Sequence, residues 1–111
     1  MHVLFKSRHP HAVALRDLTE RRVRFVLRRL RGRVPRAEVK MSDVNGARGG
    51  IDKRCQVRLQ TAAAGTVIVA SVAGDWRTAL DDALARASRH LTRLWRQGSD
   101  PRRHRPPDVP L

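Results

Sequence analysis

The sequence predicts an α+β fold: a two-layer sandwich in the order β-α-β-β-β-α, with a four-stranded sheet and two helices on one face. Three observations predict it. Apolar residues alternate with polar ones at 36–44 and 54–60, two longer stretches repeat apolar residues every 3.6 positions, and glycine or proline marks most of the joints. The 111 residues suit one domain, and 41% hydrophobic content with clear periodicity excludes wholesale disorder.

Residues 2–8 form the first strand, with Val3 and Phe5 alternating against Leu4 and Lys6. Pro10 punctuates the chain and suits a helix start, where its missing N–H is not needed. From Ala12 to Arg31 the pattern is helical: Leu15, Thr19, Val23, Val26, Leu27 and Leu30 fall on one side, and Gly32 and Pro35 stop it. Residues 36–44 alternate, with Ala37, Val39 and Met41 on one face, and a glycine-rich loop follows from Asp43 to Asp52. Cys55, Val57 and Leu59 alternate with Arg54, Gln56, Arg58 and Gln60 in the next strand. Residues 66–73 supply the fourth, and Gly74 breaks it. Asp75 is a good N-cap for a second helix running to about Gln97, whose apolar stripe is Leu80, Ala83, Leu84, Ala87, Leu91, Leu94 and Trp95. Residues 1–97 are therefore the folded domain, and 98–111 read as a flexible Pro/Arg-rich tail. Half-exposed strands place both helices over the apolar side of the sheet.

Charge is the dominant global property. Lys and Arg total 24 against 10 Asp and Glu, a formal net charge of +14, and lysine occurs only at Lys6, Lys40 and Lys53, leaving 21 arginines. That arginine bias fits either a GC-rich coding sequence or guanidinium recognition of phosphates. A chain so basic attracts polyanions, with nucleic acid ahead of anionic membranes or acidic proteins. On a helical wheel the side opposite the first apolar stripe carries Arg21, Arg24, Arg28 and Arg31, and the second helix repeats those offsets with Arg86, Arg89, Arg93 and Arg96. Two helices on one sheet face would present two roughly parallel cationic ridges. Such a face is ordinarily solvated and mixes signs to form i,i+4 pairs. Here the signs are nearly pure, and like charges at that spacing repel by a few tenths of a kcal/mol per pair. A polyanionic partner relieves that repulsion, which makes these arginines the candidate RNA-binding residues. Arg22 projects beside the apolar arc, near Leu18 and Phe25, and reads either as a stem snorkelling from an inter-helix contact or as part of a ligand-facing groove.

Catalytic and cofactor signals are weak. Gly46-Ala47-Arg48-Gly49-Gly50 joins two strands, precedes no helix and lacks the ending of a nucleotide loop. Asp43, Asn45 and Asp52 suit turn capping better than Mg²⁺. His2, His9, His11, His90 and His104 form no zinc pattern, and no serine or cysteine has an identifiable base. Cys55, the only cysteine, alternates with core residues, excludes an intrachain disulfide and fits a reducing cytosol. Aromatic residues are 4%, too few for a single-strand stacking platform, and Trp76 and Trp95 sit on the apolar stripe. The N-terminus lacks a secretory leader and no stretch is long enough to span a membrane, so a cytoplasmic, non-enzymatic protein without cofactor, metal or small-molecule substrate is expected.

The element order resembles the ribosome hibernation-promoting factors and ribosome-associated inhibitors. The stretch from Asp43 through Asn45-Gly46 and Gly49-Gly50 to Cys55 looks like the strand–loop–strand signature of one branch of that family. The run from Trp76 through Thr78-Ala79-Leu80-Asp81 to Arg86, Arg89, His90-Leu91 and Arg93 is similar to its last helix. The resemblance covers roughly residues 2–97. It implies a translation inhibitor that sits on the small ribosomal subunit, in the decoding region, and occupies space needed by messenger and transfer RNA. It further implies that Arg22, Arg28, Arg86, Arg89 and Arg93 face ribosomal RNA. Without a second, dimerising domain the chain resembles the short forms, monomeric when free, and its tail matches no family tail. Two other readings of the charge stand beside this one: a general double-stranded RNA-binding protein, or a protein-interaction regulator of an acidic partner such as a transcription factor.

Overall fold

The protein is described by a computed structural model covering residues 1–44, 52–63 and 65–99; of Arg31 and residues 97–99 only the backbone is described. Its elements are β1 (His2–Ser7), α1 (Pro10–Val13), α2 (Arg16–Val26), a 3₁₀ turn (Arg31–Arg33), β2 (Arg36–Asp43), β3 (Lys53–Gln60), β4 (Thr66–Ala73) and α3 (Trp76–Ser99). The sheet order is β1-β2-β3-β4. The last three strands form an antiparallel meander, whereas β1 runs parallel to β2, with His2 opposite Arg36 and Ser7 opposite Met41. A parallel neighbour requires a crossover, which α1 and α2 supply.

Alternation in the strands positions the core. Ala37, Val39 and Met41 of β2 stand opposite Leu59, Val57 and Cys55 of β3, and all six are buried. From the helix layer Ala12, Val23, Leu27, Ala79, Leu80, Ala83, Leu84, Ala87 and Leu91 join the same cluster, each with no exposed surface. Burying a leucine of this kind stabilises the fold by roughly 1.5–3 kcal/mol. Among the described residues no helix covers the opposite face of the sheet, so the two-layer α+β sandwich expected from the pattern is the fold observed.

The first helix departs from the single segment 12–31. His9 Nδ1 accepts the His11 N–H at 3.3 Å and Pro10 opens α1, which lasts four residues before a turn at Ala14–Leu15. Helix α2 ends at Val26, well before Gly32. Beyond it the backbone tightens: Arg28 N–H donates to Phe25 O (3.4 Å), Leu30 to Leu27 (2.8 Å) and Arg33 to Leu30 (2.8 Å). These three-residue steps keep Leu27 fully and Leu30 partly buried while bringing buried Val34 to the start of β2. Tertiary packing thus ends the helix earlier than its glycine and proline signals. At the other end, α3 runs two residues past Gln97, and residues 100–111 of the expected tail lie outside the described residues.

Candidate nucleic-acid interface

Helix α3 is built to hold its arginines outward. Asp75 caps it: Oδ1 accepts the Thr78 N–H at 2.7 Å and Oδ2 accepts the Thr78 hydroxyl at 3.1 Å, which together hold this carboxyl below its ordinary value. Trp76 then ties the helix start to the sheet, its Nε1–H donating to Ser42 O at 3.0 Å while the His9 ring lies 4.7 Å away. With Leu80, Leu84, Ala87 and Leu91 turned into the core, the 3.6-residue period leaves Arg86, Arg89, Arg93 and Arg96 exposed. Arg86 Nε lies 3.3 Å from Asp82 Oδ2, and Asp82 also accepts a hydrogen bond from Ser71 of β4. Among the described residues, Arg89, Arg93 and Arg96 have no carboxylate partner.

The arginines of the first helical region are arranged differently. Arg21 is exposed and has no carboxylate partner among the described residues. Arg24 donates Nε and Nη2 to Glu20 Oε2 at 3.1 and 3.0 Å and Nη1 to Met1 O at 3.1 Å, so it hangs over the β1 side. Arg22 turns the other way, its Nε and Nη2 each 3.0 Å from Asp81 Oδ1 on α3. It occupies the groove between the helices, as an intramolecular clamp. Arg28 lies beyond the end of α2; its Nη1 donates to Phe25 O at 2.7 Å and its guanidinium sits 4.3 Å from the centre of the exposed Phe25 ring. The side chain of Arg31 lies outside the described residues. The two expected parallel ridges are therefore one continuous row on α3 and a divided set around α2, because Arg24 and Arg22 are drawn to opposite sides by local partners.

These ion pairs do not neutralise the surface. In the Arg22–Asp81, Arg24–Glu20 and Arg86–Asp82 pairs every side chain keeps 39–53% exposure. Exposed pairs of this type contribute about 0–1 kcal/mol, so each guanidinium can turn to a phosphate at little cost. Arg16 and Arg29 are also exposed, and wheel offsets starting at Arg21 pass over both.

Other chemistry is sparse. Among the described residues no three His, Cys, Asp or Glu side chains are placed to hold a metal ion. Asp43 and buried Asp52, expected to cap turns, both bind Lys53 Nζ at 3.0 Å. Those carboxylates raise the lysine's pKa, Asp52 contributing most. The ammonium also lies 5.3 Å from the Trp76 ring centre. The glycine-rich segment between these two aspartates, with Asn45 and Arg48, lies outside the described residues. Cys55 is a core thiol, its pKa pushed up to about 12 by burial. No helix among the described residues is long and apolar enough to cross a membrane.

Residues 6–97 match the model of a family described as sigma 54 modulation protein / S30EA ribosomal protein. No curated protein matches the sequence. Among solved structures, the fold is similar to a ribosomal subunit interface protein from Coxiella burnetii, with a TM-score of 0.65 and 18% identity, covering 85% of this chain and 97% of that one.

Proposed function

Because the chain belongs to the sigma 54 modulation protein / S30EA ribosomal protein family, we propose that it is a ribosome-associated translation inhibitor. It binds ribosomal RNA of the small subunit through the arginines of its helix layer and silences idle ribosomes by occupying the decoding region. The observation that carries this reading is the α3 row: Arg89, Arg93 and Arg96 exposed on one helix, without acidic partners among the described residues. Nucleic-acid phosphates repeat every few ångströms, so a guanidinium row at helical spacing meets a backbone several times and displaces its counterions. Arg21, Arg24 and Arg28 widen the footprint across the helix layer, and Arg22 and Arg86 join it by exchanging a weak internal pair for a phosphate. Action by occupancy requires no catalytic group, and the protein works in the cytoplasm, as a monomer when free.

Substituting both Arg89 and Arg93 by Glu tests this. The variant should keep the wild-type circular dichroism spectrum and lose co-sedimentation with small ribosomal subunits. Wild-type binding should weaken steeply with salt, by a log–log slope of about 0.7–0.9 per phosphate contact. Undiminished co-sedimentation of the folded double variant would remove the helix layer from the interface. Nuclease-resistant capture of an acidic protein instead would favour the protein-interaction reading.

A further inference from the structure

The face of the sheet away from the helices is also strongly basic. Strand register lays its outward side chains out in cross-strand rows: Arg36 beside Gln60, Glu38 beside Arg58, Lys6 and Lys40 beside Gln56, and Ser42 beside Arg54. Among the described residues five cations, Lys6, Arg36, Lys40, Arg54 and Arg58, thus share one face with a single acid, Glu38, which ion-pairs with Lys6. Lys6 and Lys40 stand directly opposite one another, an arrangement that destabilises a sheet. An open sheet face needs only polar residues to meet water; it has no need of one sign. Arg36, Lys40 and Arg58 are exposed and have no carboxylate bridge among the described residues. Successive rows lie about 7 Å apart along the strands, a spacing of several ångströms like that of backbone phosphates. No Phe, Tyr or Trp stands in these rows, and His2, opposite Arg36, is the one ring on the face, too little for a base-stacking platform.

We propose that this open sheet face is a second RNA-binding surface, specific for the sugar–phosphate backbone and blind to sequence, so that one domain bridges two RNA segments on opposite sides of its two layers. The proposal builds on the RNA-binding reading of the helix layer but concerns side chains that reading does not use. The uncovered side chains of Ile68 (58% exposed) and Val72 (43%) on edge strand β4 border the patch, beside Arg58 and Arg54. A protein partner would have to accommodate those five cations as well, which makes a dense polyanion the better complement.

The test counts RNA equivalents. The full chain is titrated with a short RNA duplex of about one helical turn, and stoichiometry is read by calorimetry and light scattering. Two equivalents should bind the wild type, one the variant with Arg36, Lys40 and Arg58 changed to Glu, and one the variant with Arg89 and Arg93 changed to Glu. Gln at the same three sheet positions serves if the Glu variant fails to fold. A wild-type stoichiometry of one, or a folded sheet variant that still binds two, overturns the proposal. So does loss of binding to polyglutamate with RNA binding intact, which would make the face a docking site for acidic protein. Because the helix variant is scored separately, failure of the sheet site leaves the helix-layer reading standing.

Discussion

Helix α2 and helix α3 lie side by side on the same sheet face, yet they are held by different means. Helix α3 packs across β3 and β4 and buries Ala79, Leu80, Ala83, Leu84, Ala87 and Leu91 completely, with Asp75 capping its first turn. Helix α2 runs only 11 residues, follows Leu15 without a side-chain cap, buries Thr19 and Val23, and gives way to tight turns after Val26. The difference extends to their cations. On α3 Arg89, Arg93 and Arg96 face solvent in one row without a carboxylate partner among the described residues, whereas around α2 Arg22, Arg24 and Arg28 are each bent towards a partner within the molecule. A helix fixed by a long apolar stripe keeps its charged face in register. A short one lets its long side chains answer to whichever neighbour is nearest.

The largest effect expected from this contrast is in the core. Leu84→Ala should cost near the upper end of the roughly 2–5 kcal/mol typical of buried leucine truncation, because the sheet and its own stripe surround the site. Leu27→Ala, at the turn after α2, should fall near the lower end, since that backbone can settle into the space. Equal losses of denaturation midpoint in the two variants would break the comparison.

A smaller effect, of opposite sign, sharpens it. The buried Thr19 hydroxyl on α2 has no hydrogen-bond partner among the described residues. An unsatisfied buried hydroxyl costs on the order of 1–3 kcal/mol. Thr19→Val should therefore stabilise the protein, raising the melting temperature by several degrees, and an unchanged or lower value would show that the hydroxyl is satisfied in solution.

The smallest effect is at the α3 cap. The Asp75 carboxyl is held below its ordinary value of 3.8, chiefly by the Thr78 backbone N–H and then by the Thr78 hydroxyl. A lowered carboxylate pKa contributes stability that is fully present above the unfolded value and is lost as pH falls through the folded one. Asp75→Ala should then melt below wild type at pH 7, and the gap should close as the pH drops below about 4. A gap that persists in acid would assign the cap's effect to something other than the carboxylate.

Much of this is legible in the sequence. Asp75, the stripe from Leu80 to Leu91 and the run of like-signed arginines identify α3 and its outward face, because a 24-residue helix repeats its signal through more than six turns. Alternation at 36–44 and 54–60 places β2 and β3 within a residue. The break at Ala14–Leu15 has no glycine or proline to announce it, and the end of α2 at Val26 precedes every stop signal. Arg22 was recognisable as a groove residue, but its partner Asp81 lies 59 positions away. The basic sheet face is present in the alternation as Arg54 and Arg58 opposite Cys55 and Val57, but its joining of β1, β2 and β3 depends on strand register, which the alternation does not encode.

Residue order by itself determined the element sequence, the inward face of each strand and the excess of positive charge, since these follow from local periodicity and composition. Tertiary structure alone decided where the first helix stops, that Arg22 is held by Asp81, and that Lys6, Lys40 and Arg58 share one open face. Those outcomes depend on distances between segments far apart in the chain, and a local pattern carries no record of what the fold will bring beside it.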